Sequence, residues 1–103
     1  MIRLSILYPN TAGARFDWAY YLGTHMPLVR RRLGDALKAV SVEQGLTGGA
    51  PGAPAAYVAL CHLTFDTMPA FQAAFAAHAT ELMADIPNYT SIEPTIQINE
   101  VKL

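Results

Sequence analysis

"AYVALCHLTF", residues 56–65, places Tyr57, Ala59, Cys61, Leu63 and Phe65 on one side of an extended chain and Val58, Leu60, His62 and Thr64 on the other. Apolar residues on both sides predict a strand buried on both faces, hence inside a sheet. On its N-terminal side "TGGAPGAPA" (47–55) has no periodicity and reads as a loop, preceded by "LKAVSVEQGL" (37–46), a strand carrying Val40 and Val42. On its C-terminal side "DTMPAFQAAFAAHATELMADI" (66–86) opens with Asp66 or Thr67 as a cap and Pro69 in the first turn. It continues as an Ala-rich helix with Phe71, Phe75, His78 and Leu82 in one stripe. "PNYT" stops that helix, and "SIEPTIQINEVKL" closes the chain as a strand with Ile96 and Ile98 opposed to Gln97, Asn99 and Val101.

At the front, "IRLSILY" (2–8) alternates Ile2, Leu4 and Ile6 with Arg3, Ser5 and Leu7 and stops at Pro9-Asn10, which reads as a strand and a turn. From about Phe16 apolar positions recur at helical spacing. Pro27 lacks the N–H a helix interior needs, so this helix is expected to break near Gly23-Thr24. Thr24 or His25 then caps a second segment that ends at Gly34.

The order β-α-β-β-α-β in 103 residues predicts one domain over 1–103, of the α+β, ferredoxin-like class: a four-stranded antiparallel sheet with both helices on one face. Hydrophobic residues make up 52% and charged ones 15%, below the roughly 25% charged residues of an average domain, so apolar surface is expected to remain after one chain folds. The bare sheet face is the natural place for it, and a second copy the simplest cover, giving a homodimer.

Seven basic and eight acidic residues nearly cancel, which argues against nucleic acid or an anionic membrane as partner. Arg30-Arg31-Arg32 is read as the exposed last turn of a helix, where cations meet the negative dipole end. The single cysteine, Cys61, excludes an intrachain disulfide and suits a reducing cytoplasm. The first residues are too short and too punctuated for a secretory or membrane-spanning run.

Three histidines, a tyrosine-rich stretch and few charges point to a lipophilic pocket with proton-transfer capacity, whose ligand is a small lipophilic molecule. His25, in "YYLGTHMPLV" (20–29), is either a helix-junction residue or a proton-transfer group oriented by the hydroxyls of Tyr20 and Tyr21. His78 is a satisfied core residue, a second acid/base or a haem ligand, and His62 lines a cavity or the sheet surface. "DIPNYT" (85–90) joins a carboxylate, an amide and a phenol in a turn that is either a helix stop or a pocket lip. Tyr8, His62, His78, Asp85 and Asn88 are the candidate ligand-binding residues. No spacing suggests a metal site, and neither a phosphate loop nor a dinucleotide fingerprint occurs, so no cofactor is expected.

Tyr8-Pro9, "FDWAYYLGTHMPLV" with Phe16, Asp17, Tyr20, Tyr21, His25, Pro27 and Leu28, Leu33-Gly34, "FDT" (65–67) and the closing "DIPNYTSIEPTIQINEV" together resemble the EthD family of the dimeric α+β barrel superfamily. The resemblance covers nearly the whole chain. It implies a homodimer whose two sheets form a barrel. It implies either a cofactor-free isomerase, cyclase/dehydratase or monooxygenase, or a non-catalytic accessory or ligand-binding protein of an oxidative degradation pathway such as ether degradation, or a haem-binding protein. Of the site residues, His25 matches the family's His-x-Pro-Leu motif. Its expected role is acid/base chemistry on an aromatic, lactone or polyketide-like substrate.

Overall fold

A computed structural model describes residues 1–103. Four strands, β1 (Ile2–Pro9), β2 (Ala39–Gln44), β3 (Tyr57–Phe65) and β4 (Thr95–Glu100), form one sheet in the order β2-β3-β1-β4. Every neighbouring pair is antiparallel. This is the predicted ferredoxin-like arrangement. The register stacks Ile98, Leu4, Leu63 and Val40 in one cross-strand row and Ile96, Ile6, Cys61 and Val42 in the next. Directly paired residues share a face, so alternation along each strand delivers one apolar face to the helices.

Helix α1 follows β1 as three continuous segments: α over Trp18–Tyr20, a π turn over Tyr21–His25, and α again over Met26–Leu33. The sequence led us to expect a break at Gly23-Thr24 with Thr24 or His25 as a cap; the helix instead runs on, and its cap is Asp17, whose side chain accepts from the Tyr20 N–H at 3.1 Å. The widened turn, closed by Met26 N–H to Tyr21 O, absorbs the register slip that Pro27 would otherwise turn into a break. His25 is therefore inside the helix, facing the core. Gly34 ends α1 at φ 56°, a left-handed angle that a side chain disfavours.

Helix α2 (Met68–Asp85) starts from Thr67, whose hydroxyl accepts from the Ala70 N–H at 3.2 Å, with Pro69 in its first turn. Arg32 of α1, in the basic last turn, makes a two-pronged ion pair with Glu81 of α2 at 2.7 and 3.2 Å. Both side chains are exposed, so this pair orients the helices more than it stabilises them. The core lies between helices and sheet: Leu4, Cys61, Leu63 and Phe65 from the strands meet Val29 and Leu33 of α1 and Phe71 and Leu82 of α2.

The opposite sheet face departs from expectation. It carries Arg3, Ser41, His62, Thr64, Gln97 and Asn99, with Leu7 and Leu60 toward one end, and is mainly polar rather than an apolar sheet awaiting cover. Val58, Leu60 and His62 are only half-buried, while Thr64 on the same side is buried, so in the single chain this side of β3 is covered at one end only. Exposed apolar side chains sit elsewhere, among them Ile96 and Ile98 of β4, Met83 of α2, Leu22 of α1 and Leu46.

Candidate functional site

The segment after α2 is stitched to the segment before α1. Thr90 Oγ1 donates to the Arg15 carbonyl at 2.6 Å, Asp17 N–H donates to the Tyr89 carbonyl at 2.7 Å, and the Arg15 guanidinium donates to the Pro87 carbonyl at 2.9 Å. Phe16 and Thr90 form an isolated antiparallel bridge. These bonds carry residues 85–89, 60 or more positions away in sequence, onto the π turn of α1.

There His25 Nδ1 lies 2.8 Å from Asp85 Oδ2. The other Asp85 oxygen accepts from the Tyr20 hydroxyl at 2.7 Å and from the Asn88 amide at 2.9 Å. Beyond His25, the Tyr89 hydroxyl stands 3.5 Å from Nε2 and 2.6 Å from the Tyr8 hydroxyl. The Tyr21 ring stacks on the imidazole, 5.6 Å between centroids and 15° between planes. Phe16 packs against Tyr8, Tyr21 and Tyr89, so the cluster is a block of aromatic rings with one imidazole at its edge, against Tyr21 and Tyr89.

The environment sets the protonation. Burial pushes the His25 pKa below its ordinary value, against the pull of Asp85. Burial alone would raise Asp85, but hydrogen bonds from Tyr20, Asn88 and His25 outweigh it and hold the carboxyl below the usual range. Asp85 is thus an anionic acceptor, which fixes the proton of neutral His25 on Nδ1 and leaves Nε2 as a base. Burial raises Tyr8 to about 12 and raises Tyr89 as well, so both phenols are neutral. The Tyr20 hydroxyl is raised too, chiefly by its bond to Asp85.

Both members of the His25–Asp85 pair bind protons less readily in the folded protein than in the unfolded chain. Stability is therefore expected to be level above the ordinary histidine pKa of about 6.5 and to fall as the pH drops below it, first through His25 and then through Asp85. Denaturation midpoints between pH 5 and 8 check this, and His25→Gln should remove the upper part of the slope.

Tyr8 and His25 supply the polar atoms of a crevice between α1, α2 and the sheet, otherwise lined by apolar side chains such as Ile6, Val29, Phe75, Leu82 and Met83. Its volume is about 30 Å³, above the roughly 10–15 Å³ needed to admit a water. A larger guest requires Phe75, Met83 or the exposed Ile96 at its rim to move.

The candidate residues fall into two groups. His25, Tyr20, Tyr8, Asp85 and Asn88 converge, and Tyr21 joins them through its ring; its hydroxyl lies against the Cys61 thiol, which burial raises to about 11. Asp85 and Asn88 are not pocket-lip residues, because their polar atoms are turned to His25 and to each other. His62 is on the other sheet face, 2.8 Å from Ser5 Oγ and 3.7 Å from Glu43. His78 is half-buried on α2 and does not line the crevice. Tyr89 was not among the candidates; its only signal was a phenol inside "DIPNYT". No three His, Cys, Asp or Glu side chains converge as a metal site would require, and no helix is long and apolar enough to cross a membrane.

The solved structures share this fold. An EthD-like protein of Ralstonia eutropha JMP134 is 49% identical, matches over 99% of this chain and 92% of its own, and superposes with a TM-score of 0.92. An EthD-family protein of Bacillus halodurans C-125 is 22% identical over 99% of both chains, with a TM-score of 0.69. An antibiotic biosynthesis monooxygenase is 13% identical over 100% of both chains, with a TM-score of 0.50, a likeness of fold alone. No protein with a curated description matches the chain. The family model described as the EthD domain matches residues 12–93, which include α1 with His25, α2 and the whole 85–90 turn, and the chain belongs to the EthD family.

Proposed function

We propose that the protein is a small cofactor-independent enzyme in which His25 moves a proton on a lipophilic substrate, held in the crevice between helices and sheet. The observation that carries this reading is the His25–Asp85 bond of 2.8 Å beside a crevice whose remaining lining is almost wholly apolar. A base poised below its ordinary pKa, with a fixed tautomer and a carboxylate behind it, suits abstraction of a proton α to a carbonyl or from a phenol. Isomerisation, cyclisation with dehydration, and cofactor-free oxygenation all begin with that step. The apolar lining suits an aromatic, lactone or polyketide-like body.

The working unit in this reading is a cytoplasmic homodimer. Exposed Ile96 and Ile98 on β4 and Met83 on α2 are the apolar surface that a second copy would cover, and Ile96 and Met83 also rim the crevice.

The test is deuterium exchange. Incubated in D₂O with 2-indanone, an enolisable aromatic ketone, and with a panel of small lactones, the protein is expected to accelerate loss of the α-hydrogen NMR signals. Compounds that bind without any exchange would instead favour a non-catalytic ligand carrier, a reading that the apolar lining also fits.

A further inference from the structure

We infer that His25 works through Tyr89 and Tyr8, and that the Tyr8 hydroxyl is the atom that exchanges the proton with the ligand. This rests on the proposed role of His25 and adds a path and a terminal group to it.

The donor directions follow from Asp85. Ionised, it can only accept, so the Nδ1 proton of neutral His25 points to it and Nε2 carries a lone pair. At the next link, Tyr89 to Nε2, the phenol must then donate. The oxygen of Tyr89 is left to accept, so across the 2.6 Å link Tyr8 must donate. Every proton in the row therefore points toward Asp85, and the last oxygen, that of Tyr8, is left to accept, from the neighbouring Tyr21 hydroxyl or from a ligand. Of the two phenols only Tyr8 is among the residues lining the crevice, although both are almost wholly buried.

One transfer inverts the row. A proton leaving the ligand joins the Tyr8 oxygen, the former Tyr8 proton joins the Tyr89 oxygen, and the former Tyr89 proton joins His25 Nε2. Each phenol gives one proton and takes one, so neither becomes a phenolate. The positive charge ends on the imidazole beside Asp85, and the negative charge stays on the ligand. Tyr8 now donates toward the crevice, so the oxygen that acted as acceptor can return the proton to another atom of the same ligand. The crevice thus presents an acceptor when His25 is neutral and a donor when it is charged. This suits a ligand that loses a proton at one position and regains it at a neighbouring one, as an enolisable carbonyl compound does. The Tyr89–His25 link, at 3.5 Å, is the longest and weakest of the row and shortens as the proton crosses it.

Histidine-selective ¹⁵N labelling tests the row in the ligand-free protein. Tyr89→Phe keeps the ring and removes the donor to Nε2. It is expected to move the His25 Nε2 resonance toward that of a free imidazole nitrogen and to lower the His25 titration midpoint, because the imidazolium loses the stronger, charge-assisted bond from Nε2–H to the Tyr89 oxygen. Tyr8→Phe, which leaves Tyr89 in place, is expected to move both in the same direction by less. An unchanged Nε2 resonance and midpoint in Tyr89→Phe would overturn the relay; a response to Tyr89→Phe with none to Tyr8→Phe would overturn Tyr8 as its terminus. Should either variant not fold, replacing all five tyrosines with 3-fluorotyrosine strengthens each phenol as a donor and is expected to shift Nε2 the opposite way, while no shift overturns the proposal. None of these readouts uses turnover, so an absence of α-hydrogen exchange in the wild type would refute the catalytic reading without obscuring the state of the row.

Discussion

His25→Ala and Asp85→Asn are expected to fall to the same floor, each lowering the rate of α-hydrogen exchange on the order of 10²–10⁴-fold, with the double variant no slower than either alone. The asparagine effect comes from hydrogen-bond directions. One oxygen of Asp85 receives two donors, the Tyr20 hydroxyl and the Asn88 amide, while the other receives one, from His25. An asparagine has a single acceptor oxygen, and it satisfies more donors by turning that oxygen to Tyr20 and Asn88. Its NH₂ then faces His25 and must donate to Nδ1, which drives the imidazole proton to Nε2. The base is lost with every side chain in place. The loss should appear in kcat rather than KM, because Asp85 is turned to His25 and not to the crevice. Exchange kinetics and the ¹⁵N tautomer pattern of His25 check the two halves independently. An Asp85→Asn protein that keeps both its rate and its Nδ1–H tautomer would refute this account of the carboxylate.

The fold was legible because its information is local. Alternation in 2–8 and 57–65 put Leu4, Cys61, Leu63 and Phe65 on one face, and the register confirms that these share it. Thr67 and Pro69 announced the start of α2 in the same local way. Pro27 misled, since proline in a helical pattern usually signals a stop, and a π turn leaves no trace in periodicity beyond the glycine within it and the proline just after it. The polarity of the outer sheet face was visible residue by residue, in Arg3, Ser41 and Gln97, but was hidden by weighing β3, the most apolar strand, as if it stood for all four. The site was only half legible. His25 drew notice as an imidazole amid apolar neighbours. Its partners did not, because the bonds from Thr90 to Arg15 and from Asp17 to Tyr89 that bring 85–89 to α1 are tertiary, and no spacing rule connects them.

Phe65→Ala is expected to cost about 3–5 kcal/mol of folding stability, read as a lowered urea midpoint at unchanged m-value. Phe65 has no exposed surface, sits opposite Ile2 at the end of β3, and packs edge-on against Phe71 with 5.2 Å between ring centroids. Its removal leaves a hole at the junction of β3 and α2, both held in place by the chain on either side, so little can collapse to fill it. Domains of this size have about 5–15 kcal/mol in all, so the variant should unfold within reach of ordinary temperatures. It also separates two kinds of failure. Phe65 and Phe71 belong to neither the crevice nor the ring cluster around His25, so the folded fraction should keep the His25 midpoint and Nδ1–H tautomer of the wild type. Asp85→Asn should do the reverse, altering the imidazole directly while lowering the urea midpoint by less than Phe65→Ala does. If Phe65→Ala instead shifted the His25 titration, the site would depend on packing across the whole helix–sheet interface rather than on the Arg15–Thr90 stitching, and variants there would have to be read for stability before chemistry.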